Sequence, residues 1–290
     1  MTVQDYTRQK TKKSKTNFYY SFIFLPREKR EAMYTVYSFC RHSDDIVDDR
    51  RGIDESRRDL ENWRHELEAC YQGHATHPIM QALVPVVQRF SIPKEYFHAL
   101  IDGMEMDLSR KRYETFEELS RYCYHAASVV GLISIEIFGY RNGQAKEYAI
   151  NLGKALQITN IMRDVAEDAR NNRIYIPQED LAACDYSETD LLNYTYSPAF
   201  VEVMKLQDQR ARAFFEQAMQ HFEKNDHHLL FPAEIMRKIY FQLLERISAA
   251  QYNVYQQRVR VPNWEKGRLA LQTWLNSRWS IATQWVTTQS

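Results

Sequence analysis

Two short stretches constrain this chain more than anything else in it. The first is Cys40-Arg41-His42-Ser43-Asp44-Asp45-Ile46-Val47-Asp48-Asp49; the second runs from Gln157 through Asn160, Arg163 and Asp164 to Asp168. Asp44 and Asp48 stand four residues apart, and Asn160, Asp164 and Asp168 repeat that spacing. Positions four apart on an α-helix lie one above another on the same face, so each stretch presents a ladder of oxygen ligands. Ile46, Val47, Ile161, Met162 and Val165 set both ladders in apolar sequence. Carboxylates at half-buried positions are costly unless something neutralises them. Several divalent ions between two facing ladders would do so. All-oxygen ligation favours magnesium, which readily shares its ligand shell with substrate phosphates. One such run alone reads most simply as a solvated helix face; two, each with an arginine beside it (Arg41, Arg163), read together as one site.

Ladders more than a hundred residues apart can meet only if helices fold back on each other. The rest of the chain agrees. Only eight glycines and eight prolines occur in 290 residues, and helical periodicity dominates. Helices are expected at about 27–49, 54–72, 78–89, 94–108, 116–138, 144–169, 199–223, 233–257 and 265–282. The weakly periodic segment 171–198 reads as short helices and a loop. No repeat, low-complexity tract or linker divides the chain. The expected fold is all-α: a polar segment over 1–16, then a single catalytic helical bundle over 17–290 with a central cavity.

Charge and cysteine content narrow the function. Lys plus Arg and Asp plus Glu both number 38, which lacks the basic excess of a nucleic-acid binder. The four cysteines form no close pair, as in a reduced, cytoplasmic protein. No secretory signal and no apolar run of about 18 residues is visible. Trp264, Trp274, Trp279 and Trp285 lie among Lys266, Arg268 and Arg278, with Leu271, Trp274, Leu275 and Arg278 at helical spacing. We expect these tryptophans to close the bundle's core; the alternative is peripheral contact with the inner membrane surface.

Taken together, the motifs resemble the squalene and phytoene synthase family, the head-to-head prenyl synthases. The resemblance covers about Asn17 to Trp264. It includes Phe18-Tyr19-Tyr20-Ser21-Phe22 with Leu25-Pro26, Tyr37-Ser38-Phe39-Cys40-Arg41, Tyr122-Cys123-Tyr124, the second ladder running into Asn172-Arg173-Ile174-Tyr175-Ile176-Pro177, and Arg258-Val259-Arg260-Val261-Pro262. Within the family, Ile101 to Leu108 and the Phe-Tyr-Tyr-Ser-Phe run are most similar to the presqualene diphosphate synthases of bacterial hopanoid pathways.

The resemblance implies an isoprenoid-synthase bundle and assigns roles by position. Asp44, Asp48, Asn160, Asp164 and Asp168 would coordinate magnesium. Arg41, Gln157 and Arg163 would hold diphosphate oxygens. Tyr122 would sit near the reacting carbons, Tyr37 and Tyr252 would approach the substrate, and Phe18 and Phe22 would line an apolar pocket. Ser14 and Asn17 fall where the family has a serine-rich segment touching diphosphate. The implied reaction joins two farnesyl diphosphates into presqualene diphosphate by magnesium-assisted ionisation, without NADPH, for a downstream enzyme of squalene formation. Complete squalene or dehydrosqualene synthesis, or phytoene synthesis from geranylgeranyl diphosphate, are the alternatives. A non-catalytic assembly factor of the same fold is a remote one, because both ladders are intact. The sequence departs from the family at Ala126-Ala127-Ser128, where Ser128 adds bulk that could reshape the pocket. His42 has no companion histidines and reads as structural.

Overall fold

The computed structural model describes the backbone of residues 17–48 and 52–287, and side chains within them except those of 17, 224 and 279–287. Thirteen α-helices follow one another among the described residues. They are α1 (Asn17–Phe22), α2 (Arg27–Asp48), α3 (Ile53–Tyr71), α4 (Pro78–Phe90), α5 (Lys94–Ser109), α6 (Phe116–Cys123), α7 (Val129–Phe138), α8 (Gln144–Arg170), α9 (Gln178–Ala183), α10 (Glu188–Leu192), α11 (Pro198–Gln220), α12 (His227–Ala249) and α13 (Asn263–Thr287). No strand occurs among the described residues. The boundaries follow local chemistry. Pro78 and Pro198 open their helices, behind His77, whose Nδ1 accepts from Ile79, and Ser197, whose hydroxyl accepts from Phe200. Thr115 caps α6 through the Glu118 amide, and Ser187 with Asp190 forms a capping box on α10.

Two helices organise the interior. In α2, Met33, Val36, Phe39, Ser43, Ile46 and Val47 are buried, a stripe that seats the helix on α4 and α5. A second stripe of α2, Tyr37, Cys40, Arg41 and Asp44, turns to a cavity. α8 packs along α11 and against α7 and α12, and its buried residues run from Ala145 to Ala169. The buried apolar side chains form one contiguous cluster.

Three differences from the expected helices have physical causes. The segment 116–138 is not one helix: Tyr124–Ser128 forms a π-turn between α6 and α7. Gly103 of α5 and Gly153 of α8 press on this turn. A Cβ on Gly103 would come within 3.0 Å of the His125 carbonyl carbon, and one on Gly153 within 2.5 Å of the Ser128 Cα. Two glycines thus let three backbones meet. Second, α12 starts at His227, six residues before the expected start, because it continues through Pro232. That proline lies near the start of α12 and leaves the His228 carbonyl without its helical donor. Third, α12 stops at Ala249 where 257 was expected, because Gln251 and Tyr252 adopt left-handed backbone angles (φ 52° and 61°). A short α1 also forms where none was expected.

Candidate active site

A cavity of about 830 Å³ opens between α1, α2, the π-turn, α7, α8, α12 and the segment 258–266. Along α8 its lining passes from Tyr148 and Ala149 through Leu152, Gly153 and Leu156 to Gln157, Asn160 and Arg163. That run of sixteen residues is about 22 Å long at the helical rise, and its apolar part, Tyr148 to Leu156, is about 12 Å. The cavity is therefore apolar along the first half of α8 and polar where the second ladder begins. Five cationic side chains line it (Arg41, Arg163, Arg258, Arg260 and Lys266) against two carboxyls (Asp44 and Asp107). The cations are crowded. Burial pushes the Lys266 ammonium below its ordinary value, and the charges of Arg163 and Arg260 push it further. Such a mouth favours a polyanion.

Of the residues singled out in the sequence, Phe18, Phe22, Tyr37, Arg41 and Asp44 line the cavity from one side. Tyr122, Gln157, Asn160 and Arg163 line it from the other helices. Asp48 is outside the lining, with Arg173 Nη1 3.8 Å from its Oδ1. Asp164 is clamped: Arg163 donates from Nε to Oδ1 at 2.9 Å and also from Nη2, and Arg258 Nη2 reaches Oδ1 at 2.8 Å. Asp168 lies in a narrow neighbouring cleft with Arg173 and Tyr175. Ser14 and the side chain of Asn17 lie outside the described residues, as do the side chains of Trp279 and Trp285.

Tyr252 is a correction. It does not face the cavity; it is buried, donates to Asp208 Oδ2 at 3.2 Å and accepts from Ser248. The tyrosine that α12 brings to the cavity is Tyr240, and Arg163 keeps its charge despite burial through its hydrogen bonds to Asp164. Ser128 is a second correction: it is fully buried, its hydroxyl donates to the Ile150 carbonyl at 2.7 Å, and the wall is made by Ala126 and Ala127. His42 packs its ring on Trp63 and His77, 4.4 Å and 4.9 Å between centroids, away from the lining.

The sequence reading missed Asp107 as a site residue. Its Oδ2 accepts from the Tyr122 hydroxyl at 3.0 Å and its Oδ1 from the Tyr175 hydroxyl at 2.8 Å. The two tyrosine rings stack 5.1 Å apart. Asp107 lies within electrostatic reach of Asp44, Asp48 and Asp168, so it joins both ladders. Burial outweighs its hydrogen bonds and holds its carboxyl above the ordinary range. The signal available in the sequence was weak, because Asp107 is one of three acidic residues, with Asp102 and Glu105, in the segment Ile101 to Leu108. Arg173 was missed in the same way; the left-handed turn at Asn172 (φ 54°), gripped by Arg112 through the Asn172 carbonyl at 2.7 Å, sends the chain back toward the ladders.

The ladders are strained electrostatically. Burial, with the charges of Asp48, Asp107 and Asp45, pushes the Asp44 carboxyl up to about 7 even though Arg41 opposes it. Asp44 lies deep, but 43 % of its side chain still faces the open cavity. Burial and Asp164, Glu167 and Asp107 push Asp168 up to about 7 against the pull of Arg173. Asn160 Oδ1 is buried without a hydrogen-bond partner. These are oxygens that a hard cation would satisfy. Among the described residues no three histidine, cysteine or acidic side chains cluster tightly enough to hold a metal unaided. Ions there would complete their shells with water and phosphate oxygens.

The helical bundle, the opposed ladders and the cationic mouth over an apolar cavity define an isoprenoid-synthase fold of prenyltransferase type. Comparison with known proteins narrows this. The squalene/phytoene synthase profile matches residues 11–265, and the chain belongs to that family. It is 38% identical over 272 residues to a phytoene synthase from Arthrospira platensis, covering 89% of this chain and 88% of that one. It is 35% identical to a 15-cis-phytoene synthase from Synechococcus elongatus, with the same coverage. Among solved structures, a squalene synthase HpnC from Alicyclobacillus acidocaldarius superposes with a TM-score of 0.79 at 28% identity, over 86% of this chain and 94% of that one. A ligand-bound dehydrosqualene synthase superposes with a TM-score of 0.82 at 27% identity, over 93% and 94%.

Proposed function

We propose that the protein joins two allylic prenyl diphosphates head to head. The observation that carries this reading is one continuous cavity with its cations at one end and an apolar run of about 12 Å along α8, from Tyr148 to Leu156. A volume of about 830 Å³ lies near the top of the range for small-molecule sites, which suits two tails better than one. Arg41, Gln157, Arg163, Arg258, Arg260 and Lys266 would bind diphosphate oxygens, the arginines with forked donors. Asp44, Asp48, Asn160, Asp164 and Asp168 would hold magnesium. Magnesium bound there would neutralise the ladders and stabilise charge developing on the leaving diphosphate. Substrate would also draw Arg163 and Arg258 off Asp164 and free that carboxylate.

Loss of one diphosphate leaves an allylic cation at C1. The C2=C3 double bond of the second substrate attacks it, and loss of a proton from that C1 closes a cyclopropane that keeps the second diphosphate. Phe18, Phe22 and Tyr37 give the cation an aromatic wall that excludes water. Tyr122, anchored on Asp107, faces the reacting end and is our candidate for handling the proton.

The Ile101–Leu108 run and the Phe-Tyr-Tyr-Ser-Phe run support farnesyl diphosphate as substrate and presqualene diphosphate as product, formed without NADPH. The identity to phytoene synthases supports a second reading, with geranylgeranyl diphosphate and phytoene. Four cysteines, all free, support a reducing cytoplasmic setting. Mass spectrometry of products from each substrate with magnesium, with and without NADPH, tests these readings. Accumulated presqualene diphosphate supports the first. Phytoene, with farnesyl diphosphate unreacted, supports the second. Squalene with stoichiometric NADPH consumption overturns both.

A further inference from the structure

α13 carries an outward stripe that no described element covers. Trp264 is 70% exposed, Leu271 47% and Leu275 45%. At 3.6 residues per turn these three fall within about 40° of arc, and Arg268 and Arg278, both exposed, fall on either side of it. The one acidic residue of the helix, Glu265, is buried and paired with Arg246 at 2.6 Å, so the outward face carries positive charge alone. A fourth exposed apolar side chain, Ile23 (41%), stands beside Phe24, whose ring stacks on Trp274 at 4.9 Å. The core-closing role expected of the tryptophans is thus met by Trp274 and not by Trp264.

The stripe begins where the cavity ends. Pro262, Asn263 and Lys266 line the cavity, and Trp264 lies between them on the same turn. Phe22 also lines it, next to Ile23. We infer that this face rests reversibly on an anionic lipid bilayer, with the cavity mouth beside the membrane surface. Tryptophan favours the headgroup interface, arginines meet anionic headgroups, and leucines reach the acyl boundary. No described helix is long and apolar enough to cross a membrane, so this is contact and not insertion. A second copy of the chain fits the face less well. Two like-charged faces would oppose each other. The inference concerns binding and holds whichever prenyl diphosphate is the substrate.

Flotation of the full chain with vesicles of phosphatidylcholine, alone or mixed with phosphatidylglycerol, tests it. The protein should float with the anionic vesicles at low salt, float less at high salt, and stay down with phosphatidylcholine alone. The double variant Trp264→Ser, Leu271→Ser should lower vesicle binding by about tenfold or more, and Arg268→Glu should lower it separately. Both should melt like the wild type and keep its turnover in vesicle-free assays, since none of these side chains lines the cavity. A wild type that stays down with anionic vesicles overturns the inference. So does a double variant that floats equally well, or a wild-type dimer that the double variant disperses, which would give the face to a second copy. Flotation without prenyl diphosphate turnover would leave this inference standing and defeat the functional reading instead.

Discussion

Asp168→Asn should stabilise the metal-free protein while disabling the site, and by an amount that depends on pH. Asp168 sits in a cleft where burial and the charges of Asp164, Glu167 and Asp107 push its carboxyl from 3.8 up to about 7. Below about pH 4 the group is protonated in both folded and unfolded chains and contributes no penalty. Between about pH 4 and 7 the unfolded chain loses its proton first, so folding stability declines as pH rises; above about pH 7 the whole penalty is present. At about 1.36 kcal/mol per pH unit the upper bound is about 4 kcal/mol. Water reaching the cleft screens this to about 2 kcal/mol. The asparagine variant carries no such penalty. For a chain of 290 residues the unfolding entropy is about 0.6 kcal/mol/K, so the variant should melt about 3 °C higher at pH 8. Near pH 5 the gap should shrink to less than half. Calorimetry of both proteins in chelator-treated buffers measures it. A gap that does not widen with pH, or a variant less stable at pH 8, would refute the electrostatic account of the ladders.

Three further predictions concern turnover and packing. Asp44→Ala and Asp164→Ala should each lower turnover by about a thousandfold or more while leaving far-ultraviolet dichroism unchanged; near-normal activity at saturating magnesium in either would remove the metal assignment. Tyr122→Phe and Asp107→Asn should each cost about a hundredfold or more in kcat, whereas Tyr252→Phe should keep turnover and lose about 1 kcal/mol of stability with its hydrogen bond to Asp208. The reverse pattern would place Tyr252 in the site after all. Gly153→Ala puts a methyl 2.5 Å from the Ser128 Cα, so denaturant titration should find it about 1–3 kcal/mol less stable; an unchanged midpoint would mean the π-turn is not pinned as described.

The ladders and the helical periodicity were legible because both are local: a spacing of four on a helix places Asp44 over Asp48 whatever the rest of the chain does. Asp107 was not legible in that way. Its importance comes from Tyr122 and Tyr175, fifteen and sixty-eight residues away, which meet on its two oxygens only once α5, α6 and the segment after α8 are packed. Tyr252 misled for a related reason. Its place was assigned by resemblance alone, but the chain turns left-handed at Gln251 and Tyr252, and Tyr240 reaches the cavity instead. The clamp on Asp164 was half visible. Arg163 is its neighbour, but Arg258 is ninety-four residues on and arrives only through the fold. Ser128 shows the opposite error, a side chain whose bulk was expected to reshape the pocket but which bonds a backbone carbonyl inside the wall.

The central claim is that the cavity couples two prenyl diphosphates through C1 of one of them with loss of a proton from that carbon. The most direct test is to supply farnesyl and geranylgeranyl diphosphates deuterated at C1, with magnesium, and to weigh the product by mass spectrometry. The account predicts a carbon skeleton twice the size of the substrate, with deuterium lost from C1. A product of the substrate's own size, or a doubled product that retains all of its C1 deuterium, would contradict it.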